Sequence, residues 1–206
     1  GVTGMLPRSV TPLGVSVLAL LFERPMHPYE MYQLLVTRRK ERIVKVRPGS
    51  LYHAVERLER DGLVAVLGTG RQGNRPERTT YEITSAGRAA VRQWVSDTVA
   101  APAPEYPRFT LGLAELHNLE SVDALALLDR RIEALVAELA ALDDLAEFAR
   151  DVPELFTIPF CYTRAMTQAE LDWLRNFVDR VGRGEIPWVT DEHLESARLA
   201  QQKGNQ

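Results

Sequence analysis

The clearest pattern of apolar and polar positions in the chain lies between residues 46 and 83. Apolar side chains recur there at i, i+3, i+4 and i+7, the spacing of one helix face, at Leu51, Ala54, Val55 and Leu58. Gly62 follows this pattern, and glycine suits the left-handed conformation after the last turn of a helix. Two β-rich runs, 63–67 and 79–83, then flank a polar segment. The pattern predicts an amphipathic helix followed directly by a two-stranded hairpin.

Two further helices are predicted upstream of this pair. Thr11-Pro12 is typical of a helix start, with threonine as the N-cap and proline in the first turn, and it opens an almost wholly apolar run. After a break, His27-Pro28 begins a second helix. Residues 43–46, Ile-Val-Lys-Val, can form a short third strand. The predicted order is therefore helix, helix, strand, helix and hairpin.

This order is typical of a winged helix-turn-helix, in which one helix enters the major groove of DNA. The flank of the third helix left free by its apolar stripe carries a hydroxyl, an imidazole and a guanidinium, from Ser50, His53 and Arg57. Such side chains can reach base edges or phosphates. The sequence therefore predicts binding to double-stranded DNA. The alternatives are a merely solvated helix face and a winged helix that binds other proteins.

The second half of the chain predicts a separate helical domain. A helix from Ser85 to about Val99 leads into a connector at 100–108 that contains three prolines, which favour an extended chain. We place the boundary there, with a DNA-binding domain at 1–99 and a dimerisation and effector domain at 109–206. The expected fold class is mostly α with a small β-wing.

A heptad seam is the main feature of the second domain. A short helix is expected at 109–119, and Ser121 and Asp123 offer capping oxygens to a long helix after it. Along that helix, apolar residues alternate in steps of three and four, as in a coiled coil, at Leu125, Leu128, Ile132, Leu135, Leu139 and Leu142, and then Ala146 and Ala149. A last helix, from about Cys161 to Val181, should pair with the seam. The seam fits either a homodimer contact or a hairpin within one chain, and both interpretations stay open.

Charge is divided unevenly between the two halves. The chain carries a net charge of −3, which separates into +6 for residues 1–98 and −9 for residues 99–206. A basic half joined to an acidic half is typical of a DNA-binding domain with a separate assembly domain. Cys161 is the one cysteine, which excludes an intrachain disulfide and fits a reducing compartment. The longest apolar run is far shorter than the roughly 20 residues of a membrane span, so we expect a cytoplasmic protein that does not contact membranes.

Little in the sequence favours an enzyme. Residues 68–73 match the dinucleotide fingerprint G-x-G-x-x-G, but that fingerprint requires a helix next, and a β-rich run follows instead. A wing tip is the better interpretation. The four histidines lack metal-ligand spacing, and no serine or cysteine lies in a triad-like setting. We expect no catalytic site, no cofactor and no metal.

Three motifs together resemble the phenolic acid decarboxylase regulator (PadR) family, over about residues 12–95. They are L-x-L-L-x-E-x-P-M-H-x-Y-E-M, P-G-S-L-Y-H-A-V-E-R-L-E-R-D-G-L-V and T-Y-E-I-T-S-A-G. The resemblance implies a dimeric winged-helix transcriptional regulator, usually a repressor and often released by a small ligand. The polar family positions in the second and third helices are matched by Tyr29, Ser50, Tyr52 and Arg57. The chain departs from the family pattern at Pro28, which typically is glycine, and at His53, which often is proline.

These observations together give a set of candidate contacts. A homodimer is expected to bind a palindromic operator through Tyr29, Lys45, Arg47, Ser50, Tyr52, His53, Arg57, Arg71, Arg75 and Arg78. Dimerisation is assigned to the first six residues of the seam, which are Leu125, Leu128, Ile132, Leu135, Leu139 and Leu142. A small aromatic or phenolic effector, by the resemblance alone, is expected near Trp94, Trp173 and Phe177. The alternative for these aromatic residues is the hydrophobic core.

Overall fold

The computed structural model describes residues 10–70, 78–189 and 191–204, the last range without the side chains of 191–193, 197, 203 and 204. These residues fall into two compact units, divided between Pro104 and Glu105. The division lies inside the proline-rich segment 100–108. The assignment of DNA binding to the first unit and dimerisation to the second stays a prediction.

The first unit contains four helices, one 3-10 turn and one hairpin. Its elements are α1 (Pro12–Leu21), α2 (Pro28–Thr37), the 3-10 turn Lys40–Arg42, α3 (Pro48–Arg60), β1 (Val64–Gly70), β2 (Arg78–Ile83) and α4 (Ser85–Ala100). The second unit contains α5 (Arg108–Ala114), 3-10 turns at Leu116–Asn118 and Glu154–Phe156, α6 (Ser121–Phe148), α7 (Ile158–Gly182) and α8 (Asp191–Gly204). Helix α8 has no counterpart among the helices predicted from the sequence.

Side-chain caps fix where three helices of the first unit begin. The Thr11 hydroxyl accepts a hydrogen bond from the Gly14 amide at 3.1 Å, as predicted for the start of α1. His27 caps α2, and the Thr84 hydroxyl accepts from the Gly87 amide at 3.0 Å at the start of α4. These caps satisfy amides that have no partner inside the helix.

The core of the first unit lies between α1, α2, α3 and the root of the hairpin. Helix α1 packs against the other three helices, which explains why it is apolar on nearly every side. The third helix enters this core through the predicted stripe, with Leu51, Val55 and Leu58 at most 3% exposed. The opposite face of α3 therefore points outward.

The hairpin is antiparallel, with Val64 opposite Ile83 and Val66 opposite Tyr81, and a bulge between Val66 and Gly68. A short bridge extends it, because Met26 and Tyr81 exchange hydrogen bonds of 3.1 and 2.9 Å. The predicted hairpin is confirmed, and its strands are longer towards the tip than the pattern indicated.

The predicted third strand at residues 43–46 is wrong. The backbone turns at Arg39, whose φ of +57° is left-handed, and a 3-10 turn follows. The amides of Ile43 and Val44 both donate to the Lys40 carbonyl at 2.9 Å. Since these amides are used locally, the segment does not join a ladder, and Met26 takes the place beside β2.

Two glycines have structural reasons in this unit. Gly62 has a φ of +71° after α3, the left-handed position that the sequence predicted. Gly87 lies so close to the hairpin root that a Cβ there would be 2.1 Å from the Leu63 carbonyl oxygen. The start of α4 therefore rests directly on the start of the wing.

In the second unit, α6 and α7 form an antiparallel hairpin. Arg164 pairs with Asp143, and Arg131 pairs with Glu170 with Nε and Oε1 2.6 Å apart, so that residue numbers rise on one helix as they fall on the other. The buried residues between the helices are Ala124, Leu128, Leu139 and Leu142 on α6 and Thr167, Leu171 and Leu174 on α7. The predicted pairing of the seam with the last helix is confirmed.

Two local predictions for this unit are corrected. Glu120, without a capping side-chain hydrogen bond among the described residues, precedes α6, so Ser121 and Asp123 do not cap it. The short helix ends at Ala114, because a 3-10 turn replaces its expected last turn at Leu116–Asn118. No described helix is long and apolar enough to cross a membrane.

Candidate nucleic-acid interface

The outward face of α3 carries the predicted base-reading residues. Ser50, His53 and Arg57 are all exposed, and they lie along one side of the helix because their spacing follows its period. His53 Nδ1 lies 3.4 Å from a carboxylate oxygen of Glu56, on a side chain that is 80% exposed. The buried stripe thus holds three groups that can bind bases or phosphates on the surface. Their contact with DNA stays a prediction.

The side of α3 next to the hairpin is acidic. Burial raises the pKa of the Tyr81 phenol above its usual range, and the carboxylates of Glu59 and Glu56 raise it further. Tyr52 lies on this side and is 48% exposed, and its contact with phosphate stays a prediction. Arg57 lies on another side of α3, away from these carboxylates.

One cation on that side was missed by the sequence analysis. Arg60 is exposed and lies seven residues, or about two turns, after His53. With Arg57 it lines a groove of about 470 Å³ beside Thr11 and Gly14 at the start of α1. The helical spacing from His53 to Arg60 was readable in the sequence.

The segment before α3 adds exposed positive charge. Lys45 and Arg47 are both exposed, and Arg47 is the N-cap residue of α3. Among the described residues, no side chain caps this helix start. Other cations nearby have carboxylate partners, since Arg24 pairs with Glu30 and Arg38 with Glu23. Lys45 and Arg47 therefore remain as predicted phosphate contacts at the start of α3.

Tyr29 and Arg78, both predicted to contact DNA, lie together at the start of α2. The ring of Tyr29 is 47% exposed, and the guanidinium carbon of Arg78 lies 5.4 Å from its centre. Arg78 Nη1 also lies 3.2 Å from Nε2 of His27. Arg78 pairs with Gly70, so it lies at the tip end of the described hairpin ladder. Two other predicted wing contacts, Arg71 and Arg75, lie outside the described residues.

The predicted dimerisation residues are divided by their burial. Leu128, Leu139 and Leu142 are at most 8% exposed within one chain. The remaining members are half-buried, and they are Leu125, Ile132 and Leu135. The part of the seam in dimerisation stays a prediction, and the three buried leucines can take part only through the hairpin that they hold together.

The predicted effector residues lie in different units. Trp94 belongs to α4, whereas Trp173 and Phe177 stack on each other on α7, with ring centres 5.3 Å apart and planes at 4°. Trp173 is half exposed. In the part of the chain that the structure describes, no group of three histidine, cysteine or carboxylate side chains is arranged to hold a metal ion.

Comparison with known proteins adds a family and a fold. Residues 17–93 match the model of the family described as Transcriptional regulator PadR-like family. A comparison of the sequence with curated proteins found no match. Among solved structures, the chain is similar to PadR of Bacillus subtilis in complex with operator DNA, with a TM-score of 0.70, 17% identity, and coverage of 83% of this chain and 99% of that one.

Two other structures give similar values. PadR of Bacillus subtilis in complex with p-coumaric acid has a TM-score of 0.67 and 15% identity, covering 82% of this chain and 98% of that one. The virulence activator AphA of Vibrio cholerae has a TM-score of 0.65 and 17% identity, covering 83% of this chain and 98% of that one. At these identities the similarity shows the fold, and it confirms the predicted winged helix with a C-terminal helical extension.

Proposed function

Since residues 17–93 match the family model of PadR-like transcriptional regulators, we propose that the chain is a homodimeric repressor that binds a palindromic operator and is released by a small effector. The observation that carries the proposal is the outward face of α3, where Ser50, His53 and Arg57 are held on the surface by a buried stripe. The similarity in fold to PadR of Bacillus subtilis, whose structure contains operator DNA, supports this use of α3.

Each group of residues has a distinct task in this proposal. Ser50, His53 and Arg57 read base edges in the major groove, where an arginine can bind a guanine through two hydrogen bonds. Residues that grip phosphates without reading sequence complete the interface, and they are Tyr29, Lys45, Arg47, Tyr52, Arg71 and Arg75.

Dimerisation is proposed to use the exposed face of α7. Ile158, Tyr162, Met166 and Trp173 are each about half exposed or more, at steps of four, four and seven residues. Leu171 packs towards α6, and Trp173 is two residues further on, which places it on the opposite side of the helix. A single chain leaves this apolar stripe in water, and a second copy would cover it.

A homodimer that binds a palindrome presents one α3 helix to each half-site. Half-sites are then expected about 34 Å apart, one turn of DNA, or at a multiple of that distance. The aromatic pair Trp173 and Phe177 would lie at or beside this interface. An effector that binds one dimer geometry better than another would shift the half-site spacing and release the operator.

The class of effector is proposed from similarity. The structure of PadR of Bacillus subtilis with p-coumaric acid makes aromatic carboxylic acids the first compounds to test. Calorimetry with p-coumaric acid, paired with release of bound operator, measures both parts of the proposal. Absence of heat together with retained operator binding would leave this compound class without support.

The main experiment measures DNA binding at several salt concentrations. Duplexes selected from a random pool by the full-length protein supply the operator, and a scrambled duplex of the same composition is the control. We expect tighter binding to the operator, and affinity that falls steeply as salt rises, because phosphate contacts release counterions. Equal and salt-insensitive binding to both duplexes would refute DNA reading and favour a winged helix that binds other proteins.

A further inference from the structure

Arg78, the first residue of β2, contacts two side chains at the start of α2. Its Nη1 atom lies 3.2 Å from Nε2 of His27, and its guanidinium carbon lies 5.4 Å from the centre of the Tyr29 ring. The rings of His27 and Tyr29 are nearly parallel, at 17°, with centres 6.5 Å apart. The backbone joins the same two elements through the paired hydrogen bonds of Met26 and Tyr81. We call His27, Tyr29 and Arg78 the wing clamp.

The members of the wing clamp differ in exposure. Arg78 is half-buried, whereas Tyr29 is 47% exposed. A guanidinium can lie flat against an aromatic ring and donate hydrogen bonds in its own plane, which an ammonium group cannot do. Tyr29 therefore offers the larger surface to a ligand, and Arg78 is the group that fixes its ring.

His27 connects the clamp to the N-terminus of α2. Its Nδ1 accepts a hydrogen bond from the Glu30 amide at 3.2 Å and so caps the helix. A neutral imidazole accepts at one nitrogen only, so the helix start and the Arg78 guanidinium compete for a single acceptor. The position of the tip end of β2 and the capping of α2 are thereby linked through one ring.

We propose that Arg78 is a positioning residue, which fixes Tyr29 and the tip end of strand β2 against α2 so that both meet the DNA backbone together. The proposal rests on the proposed DNA-binding function. It changes the part assigned to Arg78 from the sequence, because the guanidinium acts through His27 and Tyr29 and does not itself grip a phosphate.

A double-mutant cycle on the full-length protein tests the proposal. Operator affinity is measured for Arg78→Ala, Arg78→Lys, Tyr29→Ala and the double variant Arg78→Ala with Tyr29→Ala. We expect Arg78→Lys to lose about as much affinity as Arg78→Ala, about five- to tenfold, because lysine keeps the charge and loses the stacked plane. In the double variant, loss of Arg78 should add less than about twofold to the effect of Tyr29→Ala.

The opposite outcomes would overturn the proposal. If Arg78 grips a phosphate independently, Arg78→Lys keeps nearly full affinity, and the losses from Arg78→Ala and Tyr29→Ala multiply in the double variant. An unmutated protein that fails to bind duplex DNA refutes the proposed function. If the unmutated protein binds the operator and the losses from Arg78→Ala and Tyr29→Ala multiply, the wing clamp alone is refuted.

Two further variants separate positioning from folding. Arg88→Ala is the matched control, because Arg88 forms the same kind of pair with the Phe22 ring, 4.8 Å away, on α4 of the same unit. It should keep full operator affinity. His27→Asn keeps an oxygen that can cap α2 and removes the contact with Arg78, so it should keep the melting temperature and lose affinity as Arg78→Lys does. A His27→Asn variant that binds as tightly as the unmutated protein would overturn the clamp.

Discussion

Among the described glycines, Gly87 has the least space for an added side chain, and Gly87→Ala tests the packing around it. A Cβ there would lie 2.1 Å from the Leu63 carbonyl oxygen and 2.8 Å from Cγ1 of Ile83. The carbonyl cannot simply move aside, because it accepts the Thr84 amide at 3.1 Å. Overpacking of this kind costs about 1–3 kcal/mol. Alanine regains up to about 1 kcal/mol as a better helix former, so we expect a net loss of about 1–2 kcal/mol.

Gly112→Ala is the matched control for this change. Gly112 also lies in a helix, α5, and apart from its chain neighbours and the backbone of that helix, no described atom lies within 4 Å of the Cβ that alanine would add. The same chemical change should therefore stabilise the second unit by about 0.5–1 kcal/mol, through the reduced freedom of the unfolded chain. The two substitutions are predicted to have opposite signs.

Hydrogen exchange measured by mass spectrometry on the full-length protein distinguishes the units. In Gly87→Ala, the protected amides of α1 and α3 should exchange about 5–30 times faster, which corresponds to the expected 1–2 kcal/mol, and those of α6 and α7 should not change. Unchanged protection of α1 and α3 in Gly87→Ala would refute the reasoning, since it would mean that the close approach of α4 to the hairpin root relaxes without cost.

Three more substitutions test the other parts of the molecule. Arg57→Ala should weaken operator binding by about 1–3 kcal/mol and scrambled-duplex binding much less, as measured by anisotropy titrations; uniform loss on both duplexes would show that the recognition face is wrongly assigned. Trp173→Asp should yield a folded monomer in sedimentation, because it places a charge on the exposed face of α7, and a dimer that persists would contradict the proposed interface. The hydrogen bond from Arg164 lowers the pKa of Asp143, so the pair contributes stability above the ordinary aspartate pKa and loses it as the pH falls below about 4. Asp143→Asn should therefore flatten the fall in melting temperature between about pH 5 and 3, and an unchanged acid profile would show that the exposed pair contributes nothing.

Local signals in the sequence were sufficient for most elements of the first unit. The Thr11 cap, the stripe through Leu51 and Leu58, and the left-handed Gly62 each depend on residues a few positions apart, and the structure contains all three. Interactions of this range are encoded by side-chain type and spacing alone. The outward position of Ser50, His53 and Arg57 followed from the same helical period, because burying one face of α3 exposes the other.

Contacts between residues far apart in the chain were decided only by the tertiary structure. Residues 43–46 have the composition of a strand, yet the amides of Ile43 and Val44 donate to the Lys40 carbonyl in a local turn. Met26 bridges Tyr81 instead. The sequence predicts that Arg78 is a wing residue that contacts DNA, yet its guanidinium lies against His27, which is 51 residues away in the chain.

The heptad pattern on α6 illustrates the same division. The sequence determined that one face of this helix would be apolar, since the steps of three and four are a local property of the chain. It left open whether the partner helix belongs to the same chain, because a heptad specifies a buried face and carries no information on what buries it. The structure places α7 of the same chain on Leu128, Leu139 and Leu142. That partner depends on the course of the chain between the two helices, which only the folded molecule defines.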